Sequence, residues 1–548
     1  MKKYLKWFIG EVAGFRWTYI AVLLFQLVAV AISLVYVWLS KELVDTAVDH
    51  FNGAFSEKRL VVLAVLFAVV TFSRPLIASL KSYLQSKMSV AMTNSLRQRL
   101  FDDMLSVSGD VGRKYHSGDM INRMESDVSS VTTAFCSAVP NLFWAGCQFA
   151  AAFACVLYVN VSLALILVVV LPFAVPAGKF IMKRVRNLTL HIKSSDSKIQ
   201  SHIQESIQHL TLIRTLEYTA GSSEMLGELQ DENYSRNLKR ISFSILARIL
   251  MSMAFNAGYM IAFLWGVKGI ATGAVTYGLM TAILQLVGQL QRPLLQASDN
   301  LPSLLHSTAS IDRLVEMEEL PKEDIGNSLQ LRSPAGVRVK DLSFRYPDGE
   351  DQVIEHLSFD FKPGSRVAIT GRTGIGKTTL LKLMLALSKP CSGSIELYSE
   401  GESFPATPET RCNFAYVPQG NTLFSGTVRD NLLMGDRNAD ERRMREALHI
   451  AAADFVFDLP DGLDTICSEA GGGLSEGQAQ RIAVARGLLR SGSILLLDEF
   501  SSALDPGTEE QMLERLTAKE GLCGGKTMIF ITHRESILNF CDSELNLG

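Results

Sequence analysis

A glycine-rich segment, Gly371 to Thr378, contains the residue types that bind a phosphate group. It reads GRTGIGKT, and the pattern G-x-x-x-x-G-K-[ST] lets the backbone curl so that successive N–H groups face phosphate oxygens. Lys377 adds a point charge for the β- and γ-phosphates of a nucleotide, and the Thr378 hydroxyl can reach Mg²⁺. The segment therefore predicts a nucleoside triphosphate site.

Two carboxylates, Asp498 and Glu499, follow the mostly apolar run Ser493–Leu497. Carboxylates at the carboxyl end of a parallel strand lie beside the phosphate loop at the same edge of the sheet. Asp498 is suited to holding Mg²⁺, and Glu499 is suited to polarising a water molecule for attack on the γ-phosphate. A helix cap after a buried strand is the alternative without chemistry. The pair predicts hydrolysis of ATP.

The elements that position these groups can be read from the flanking residues. The apolar run Arg366–Thr370 predicts a buried strand before the loop, and Lys377–Ala386 predicts a helix whose positive amino-terminal end faces the phosphates. Upstream, a polar stretch punctuated by Pro321, Gly326 and Pro334 predicts a linker over residues 318–336. Residues 337–548 are thus expected to form an α/β domain of the P-loop NTPase class.

The first 317 residues are organised differently, because the long apolar runs of the chain are concentrated there. A bilayer core requires about 20 mostly apolar residues per helix. A set of buried helices in a large soluble protein is the alternative. The last run has the weakest hydropathy and is included partly because it completes the topology. The predicted six spans are Trp17–Leu39, Leu60–Leu84, Phe135–Tyr158, Val161–Met182, Ile241–Val267 and Tyr277–Val287, the last extended to about Ala297.

Basic residues are distributed unequally between the two sides of these spans. Their excess marks the cytoplasmic side, so both termini and the stretches 85–134 and 183–240 are expected in the cytoplasm, the two stretches as helical rods. The start MKKYLK resembles the basic region of a signal peptide, but the apolar run behind it is too long. An uncleaved first span is therefore expected. The basic residues on the cytoplasmic side are Lys2, Lys3, Lys6, Arg97, Arg99, Arg113, Lys114, Arg123, Lys183, Arg184, Arg186, Lys193, Arg236, Lys239 and Arg240, against Lys41, Lys58, Arg59 and Lys268 on the other.

Two basic side chains, Arg74 and Lys81, lie inside the second predicted span. A charge at the centre of a membrane helix costs about 2.5–3.5 kcal/mol on insertion scales, so it usually faces a polar interior. The two are seven residues apart and share one helix face. They are candidates for contact with an anionic group of a substrate. The alternative is that Lys81 snorkels to the membrane surface and Arg74 has a structural partner beside Pro75.

Composition excludes several other classes. The net charge of the 548 residues is −3, which gives no basic field for nucleic acid. Eight cysteines occur singly, with no C-x-x-C pair, so neither a disulfide framework nor a zinc site is indicated.

The string Leu474–Gln478, followed by Ala479, Gln480 and Arg481, resembles the signature motif of ATP-binding cassette (ABC) exporters. The third residue is Glu476 where the family usually has glycine. The resemblance implies that Ser475, Gly477 and Gln478 bind the ATP held by the phosphate loop of a second subunit. Since the family uses the serine and the fourth-position glycine for this contact, activity is expected despite Glu476.

Other segments resemble the remaining motifs of the family, in the family's order. Phe344–Pro347 implies that Tyr346 stacks on adenine, and Tyr416–Gln419 implies that Gln419 contacts Mg²⁺ and acts in catalysis. Ile531–Arg534 implies that His533 reaches the γ-phosphate. The stretch Ser425–Asn431, the pair Glu469 and Gly471, and the dimer-contacting loop Ser502–Asp505 also match. The residues implied to bind ATP are Tyr346, Gly371, Arg372, Thr373, Gly374, Ile375, Gly376, Lys377, Thr378, Thr379, Ser475, Gly477, Gln478 and Asp505; those implied for Mg²⁺ are Thr378, Gln419 and Asp498.

The membrane half resembles the same family. His116–Asp119, with Arg123 and Asp127, is similar to the first cytoplasmic helical hairpin of exporters, and Gly273–Pro293 to the entry into their sixth span. Importer permeases, usually separate chains, fit this fusion poorly.

The resemblance implies a multidomain membrane protein: a six-helix, all-α transmembrane domain of exporter type (1–317) joined to an ATP-binding cassette (337–548). It implies ATP- and Mg²⁺-dependent export or flipping of a lipid, a drug-like molecule or a small peptide, by alternating access in a dimer. Glu499 and His533 are both present, which favours a homodimer over a heterodimer. For a bacterium the expected location is the plasma membrane. The alternatives are an importer with this fold, an ATP-gated channel or regulator, and a membrane-anchored P-loop enzyme.

Overall fold

The structure is a computed structural model that describes residues 2–51, 57–109, 117–323, 326–346, 351–467, 473–518 and 521–548. The motif residues His116, Pro347, Glu469 and Gly471 lie outside these ranges. So do the side chains of residues 166–183, although their backbone is described as helical.

The first part of the chain is helical, and several helices far exceed the thickness of a bilayer. A single 50-residue helix, α3, continues through Pro75, and at 1.5 Å per residue it is about 75 Å long. The helices are α1 (Lys2–Ala13), α2 (Arg16–Phe51), α3 (Glu57–Ser106), α4 (Ser117–Asn122), α5 (Val128–Thr133), α6 (Val139–Val159), α7 (Val161–Gln208), α8 (Leu210–Thr215), α9 (Thr219–Ala271) and α10 (Tyr277–Glu318), with π-helical turns at Arg123–Asp127 and Ala134–Ala138.

One residue, Asn160, separates α6 from α7. Its backbone is extended (φ −158°, ψ 112°), and its side-chain oxygen accepts a hydrogen bond of 2.8 Å from the Leu163 amide. An asparagine in this position caps the amino terminus of a helix, so the chain ends one long helix and starts the next without a loop. The predicted third and fourth spans, which end at Tyr158 and begin at Val161, are thus separated by almost no loop.

Four helices among the described residues are long and apolar enough to cross a membrane: Arg16–Asp49, Glu57–Ser106, Gly118–Val159 and Thr219–Ala271. They contain the predicted first, second, third and fifth spans. The fourth predicted span, Val161–Met182, consists mostly of residues whose side chains are outside the described part of the structure. The sixth, Tyr277–Val287, begins α10, which is not among the four. Six spans therefore stay a prediction.

Large apolar side chains on these helices are exposed. In α3, Phe72 and Leu76 are 73% and 71% exposed. Helices buried in a soluble core would cover such side chains, and contiguous apolar surface of this kind is typical of lipid contact. This favours membrane helices over the soluble alternative.

Buried charges join the π-helical turn Arg123–Asp127, which precedes the third predicted span, to the end of α10. Asp127 is 2% exposed; it accepts hydrogen bonds from Ser310 Oγ (2.8 Å) and from Arg313 Nε (2.7 Å) and Nη2. Arg123, 7% exposed, donates to Glu316 Oε2 (3.0 Å) and to the Arg313 carbonyl (3.1 Å). Two helices far apart in sequence are thus held together at one level.

We expect Asp127→Ala to lower the free energy of unfolding by about 2–3 kcal/mol, because buried donors lose a charged acceptor. Thermal unfolding in detergent measures this. Glu232→Ala, which breaks the exposed Glu232–Arg236 pair (2.6 Å), should cost less than about 0.5 kcal/mol. An equal decrease in the free energy of unfolding in the two variants would show that the buried cluster stabilises the protein no more than an exposed ion pair does.

The rest of the chain contains two main sheets. One is antiparallel in the order β2-β1-β4-β5, and the other has five strands in the order β11-β3-β10-β9-β6, paired in parallel. The strands are β1 (Gly336–Phe344), β2 (Ile354–Phe361), β3 (Arg366–Thr370), β4 (Ser392–Ser399), β5 (Glu402–Pro405), β6 (Phe414–Val417), β7 (Gly426–Thr427), β8 (Ile466–Cys467), β9 (Ile494–Asp498), β10 (Thr527–Ile531) and β11 (Ser543–Asn546). The helices are α11 (Lys377–Met384), α12 (Val428–Leu433), α13 (Glu441–Ile450), α14 (Glu476–Leu489), α15 (Pro506–Leu516) and α16 (Glu535–Leu538).

The central strands β9 and β10 are buried along their whole length. Continuous apolar runs suit a parallel sheet that is covered on both faces. The predicted strand Arg366–Thr370 is confirmed as β3, and the predicted helix from Lys377 forms but ends at Met384. The carboxyl ends of β3, β9 and β10 meet at one edge of the sheet, where the candidate site lies.

Contacts divide the chain into two units, Met1–Arg99 with Ile121–Glu316, and Leu100–Met120 with Met317–Gly548. The end of α3 and the segment after it thus group with the cassette, whereas the predicted membrane domain took all of 1–317. Within this unit the Ser108 amide donates to the Pro321 carbonyl at 3.1 Å, and the Glu323 amide donates to the Ser106 carbonyl at 2.7 Å. These bonds attach the end of a membrane helix to the chain that enters the cassette.

Candidate functional site

The phosphate loop runs from the end of β3 to the first turn of α11. Gly371, Gly374 and Gly376 have φ of +137°, +85° and +111°, a region in which residues with a side chain are strained. A Cβ on Gly376 would lie 2.9 Å from Val353 Cγ1 and 3.0 Å from its carbonyl oxygen. The glycines of the motif are therefore required by the backbone.

Lys377 lies folded into this loop. Its Nζ donates to the carbonyl oxygens of Gly371 (2.8 Å) and Arg372 (3.1 Å), and it lies 2.9 Å from Nε2 of His533. Because an ammonium group only donates, Nε2 is the acceptor. Burial lowers the pKa of Lys377 from its ordinary value, while Glu499 and Asp498 act in the opposite direction. A cation is thus held where the predicted phosphates bind.

Asp498 ends strand β9 and is 1% exposed. The Thr378 hydroxyl lies 3.4 Å from its Oδ1, and the Tyr416 hydroxyl lies 3.4 Å from its Oδ2. Burial raises the pKa of the Asp498 carboxyl, and the charge of Glu499 acts in the same direction. Both hydrogen bonds are long, so this buried carboxylate is only weakly satisfied by its protein partners.

Glu499 follows at once and has a backbone φ of +46°, which is uncommon for a residue other than glycine. This conformation turns the chain sharply at the sheet edge. The carboxylate accepts a hydrogen bond of 2.5 Å from Gln419 Nε2 and lies 3.4 Å from His533 Nε2. The structure thus brings together the three residues predicted to be catalytic.

The adenine-stacking candidate, Tyr346, also lies beside the loop. Its hydroxyl is 2.8 Å from the Thr379 hydroxyl, and its ring packs edge-on against Phe344 at 4.9 Å between centroids. These contacts hold the ring next to the helix that begins at Lys377.

The signature residues start helix α14. Ser475 is its cap: the Ser475 hydroxyl accepts from the Gln478 amide (3.2 Å), and the Gln478 side chain accepts from the Ser475 amide (2.9 Å). A Cβ on Gly477 would lie 2.8 Å from the Ala503 carbonyl, so this glycine allows the helix to pack on loop 501–505. In the described ranges no hydrogen bond or ion pair joins Ser475, Gly477 or Gln478 to the phosphate loop.

Asp505 occupies the equivalent position at α15. Its carboxylate caps that helix by accepting from the Thr508 amide at 2.9 Å, and this bond lowers the pKa of the carboxyl. Like Ser475 and Glu476, Asp505 is exposed. These residues therefore form an outward-facing group, separate from the cluster around Lys377.

Comparison with known proteins places both halves of the chain. Residues 19–294 match the sequence model of the ABC transporter transmembrane region, and residues 354–502 match that of the ABC transporter itself. The chain is 30% identical over 474 residues to a protein of Aromatoleum aromaticum named ATP-dependent lipid A-core flippase, covering 84% of this chain and 77% of that one.

The chain belongs to the ABC transporter family.

Other similarities extend further along the chain. An uncharacterized ABC transporter ATP-binding protein of Bacillus subtilis, YfiC, is 25% identical over 540 residues, 96% of this chain and 88% of that one. A solved structure of a bacterial Atm1-family ABC exporter with ATP bound has a TM-score of 0.82 and 24% identity, covering 98% of this chain and 94% of the other. That likeness shows the fold, an exporter-type membrane domain fused to a cassette.

The family confirms the main sequence predictions. The transporter is a membrane protein that binds ATP, and its cassette couples ATP hydrolysis to transport across a membrane. ABC exporters work as dimers in a membrane, which fits the predicted partners.

The membrane domain of the transporter contains a cavity of about 350 Å³. Arg74 and Lys81, predicted from the sequence to share a face, both line it. The Arg74 guanidinium also lies 4.7 Å from the centroid of the Tyr36 ring, so it has a structural partner as well. The lining residues are Ala29, Ile32, Ser33, Arg74, Pro75, Ile77, Ala78, Lys81, Trp144 and Gln148.

Two of the lining residues, Ser33 and Gln148, belong to a network of hydrogen-bonded side chains. The Ser33 hydroxyl donates to Gln148 Oε1 (3.0 Å), and Gln148 Nε2 donates to Gln289 Oε1 (2.8 Å). Gln289 Nε2 in turn donates to the Ser33 carbonyl at 3.3 Å. This network connects three helices. Together with Arg74 and Lys81, it gives the cavity both cationic and neutral hydrogen-bonding groups.

Sequence reasoning missed several groups that position the nucleotide site. The Tyr416 hydroxyl contacts Asp498, and Gln480 Nε2 donates to the Ser502 hydroxyl at 2.8 Å. The motif containing Tyr416 was recognised, but its role was assigned to Gln419. Neither contact has a signal in local spacing, because each joins segments that are distant in sequence.

Proposed function

We propose that the chain is one half of a homodimer that flips a lipid with an anionic headgroup across a membrane, driven by ATP hydrolysis. The observation that carries this proposal is the cluster of Lys377, Gln419, Asp498, Glu499 and His533 in the same chain as an exporter-type membrane domain. The lipid class is supported by relatives named ATP-dependent lipid A-core flippases and by the basic cavity.

Tyr346 would stack on the adenine of ATP, and the loop from Gly371 to Gly376 would bind the phosphates through its backbone amides. Lys377 would bind the β- and γ-phosphates. Its present partners, two carbonyls and His533, would exchange for phosphate oxygens. Thr378 and Thr379 would add hydroxyls at the start of α11.

Thr378, Gln419 and Asp498 would hold Mg²⁺. Their side chains offer only oxygen ligands from a hydroxyl, an amide and a carboxylate, which is the donor set that Mg²⁺ prefers. The weak hydrogen bonds and raised pKa of Asp498 fit a carboxylate that awaits a cation. When bound, Mg²⁺ neutralises charge on the β- and γ-phosphates.

Glu499 would act as general base by orienting and polarising the attacking water, with Gln419 fixing its carboxylate. His533 would donate to the γ-phosphate once Lys377 has turned to the nucleotide. The bond of 2.5 Å from Gln419 Nε2 to Glu499 and the distance of 2.9 Å between Lys377 Nζ and His533 Nε2 support these roles.

The second copy would complete each site. Ser475 and Asp505 are exposed, and Gly477 and Gln478 are half-buried. All four would contact ATP held by the partner, which would make ATP bridge the two cassettes. Glu499 and His533 are both present, so two copies of this chain would give two complete sites. A species of twice 60.3 kDa in detergent is expected.

The basic-residue asymmetry supports six spans, with both termini and both helical extensions in the cytoplasm. We place the membrane domain at 1–317, the linker at 318–336 and the cassette at 337–548. In a bacterium the membrane would be the plasma (inner) membrane. Transport would run toward the outer leaflet.

The substrate assignment is tested by lipid-stimulated ATPase activity. In reconstituted wild-type protein, lipids with phosphorylated headgroups should stimulate turnover more than neutral lipids with the same chains. Arg74→Gln and Lys81→Gln should each raise the half-maximal lipid concentration about tenfold, since each removes a charged hydrogen-bond donor.

Lys58→Gln is the matched control, because Lys58 is exposed at the start of the same helix, α3. It should leave the lipid response unchanged. Equal stimulation by neutral and phosphorylated lipids, with no effect of Arg74→Gln or Lys81→Gln, would reject the anionic substrate.

A further inference from the structure

Glu509 is a buried carboxylate in the cassette that no motif predicts. It lies in the first turn of α15, four residues after Asp505, and it is 2% exposed. Burying a charge is costly unless it is paired and hydrogen-bonded. Its partners therefore indicate what it holds in place.

Three side chains from two different segments contact this carboxylate. Ser501, in the loop after β9, donates to Oε1 at 2.5 Å. Ser536, in the segment after β10, donates to Oε2 at 2.9 Å. The Arg534 Nη1 lies 3.1 Å from Oε1. One carboxylate thus joins the loop that begins after Glu499 to the segment that contains His533.

Arg534 makes a second connection between loop 501–505 and the segment after β10. Its guanidinium donates to the carbonyl oxygens of Ser502 (3.2 Å) and Leu504 (3.2 Å). Arg534 follows His533 directly, and Leu504 precedes Asp505 directly. The backbone next to these two functional residues is therefore joined by the hydrogen bonds of one guanidinium.

The signature helix is also attached to this loop. Gln480 Nε2 donates to the Ser502 hydroxyl at 2.8 Å, and Gln480 Oε1 accepts from the Ala503 amide at 3.1 Å. Loop 501–505 is thus held by Gln480 as well as by Arg534 and Glu509. A displacement of the loop would act on all three.

We propose that Glu509, through Arg534, is a positioning residue that makes His533 and the partner-facing Asp505 loop move as one body. This rests on the dimeric ATPase of the proposed function. The consequence is that the position of His533 at the γ-phosphate depends on whether loop 501–505 is engaged by the second copy. Glu509 is not among the residues proposed to contact ATP or the attacking water, and it is not itself catalytic.

Glu509→Gln tests this with the shape of the side chain preserved. The amide keeps an acceptor for a serine but loses the charge that pairs with Arg534, so kcat should fall about tenfold. KM for ATP should stay within about twofold, because the phosphate loop and Tyr346 are untouched. The Hill coefficient for ATP should fall toward one.

Glu510→Gln is the control, since Glu510 is the exposed neighbour, and it should match wild type. ATP-binding stoichiometry is measured for every variant. If the loss of kcat in Glu509→Gln equals its loss of binding-competent protein, Glu509 has only a structural role and the proposal is overturned.

Arg534→Lys provides an independent variant, because one ammonium cannot reach the carboxylate and both carbonyls. It should reproduce the fall in kcat and in the Hill coefficient, and the double variant should be little worse than either single one. Multiplied losses in the double variant would show that the two residues act separately. If wild type hydrolyses no ATP, the proposed function fails; if wild type is active and Glu509→Gln matches it, only this inference fails.

Discussion

Replacing Glu499 with glutamine is expected to lower the steady-state ATP turnover about 10²–10⁴-fold, the range that a positioned general base contributes. The amide keeps the length of the side chain and its contact with Gln419, but it cannot accept a proton from water. The backbone φ of +46° is equally unfavourable for glutamate and for glutamine, so the fold should be unchanged. Phosphate release measured with purified protein gives the rate.

ATP affinity in the Glu499→Gln variant should stay within about threefold of wild type, because the removed charge faces the attacking water and not the nucleotide. Glu514→Gln, an exposed position on α15, is the control and should hydrolyse normally. Turnover in Glu499→Gln within a few-fold of wild type would contradict the assignment of the base.

The second large effect is expected for Lys377→Met. Loss of the ammonium that is folded into the phosphate loop should weaken ATP binding roughly 10- to 100-fold, the equivalent of a charged hydrogen bond or more. The three acceptors around Nζ show that the ammonium is held at the loop, where it would exchange these partners for phosphate oxygens. Equilibrium binding of a fluorescent ATP analogue measures the affinity.

Lys362→Met, at an exposed position just after β2, removes a cation from the same domain and should bind ATP normally. If both variants bind with the affinity of wild type, Lys377 is not the phosphate ligand. Hydrolysis alone would not decide this, because it also falls in Glu499→Gln.

Local patterns predicted the nucleotide site well because each has a local cause. The phosphate loop needs glycines at positive φ, and β3 forms at the predicted bounds, Arg366–Thr370, because a buried parallel strand is apolar throughout. Asp498 and Glu499 follow β9 directly, so their place at the sheet edge follows from the position of the strand. The cluster with Gln419 and His533 was reached through the family resemblance.

The membrane domain was less readable, since hydropathy measures composition and not packing. Tyr277–Val287 belongs to a long helix, α10, whose later turns carry Ser310 and Arg313 and pack on Asp127. A helix that is apolar on only one side has a low hydropathy when the value is averaged over consecutive residues. The stacking of Arg74 on Tyr36 also could not be predicted, because the two residues lie on different helices.

Contacts between distant segments were beyond local reasoning in the cassette too. Glu509 looks like an ordinary acidic residue in the first turn of a helix, which is a common surface position. Only the fold shows that Ser501, Arg534 and Ser536 converge on it. The attachment of the last turns of α3, from Leu100 to Ser106, to the cassette unit is of the same kind, since the bond at Ser106 comes from Glu323, which is distant in the sequence.

Movement of a labelled lipid between leaflets tests the central claim most directly. Purified protein is reconstituted into vesicles with a fluorescent lipid that has a phosphorylated headgroup, and a membrane-impermeant quencher reports how much lies in the outer leaflet. We expect movement that requires both ATP and Mg²⁺ in wild type and is lost in Glu499→Gln. Equal lipid movement in Glu499→Gln, or an ion conductance opened by ATP binding without lipid movement, would contradict it.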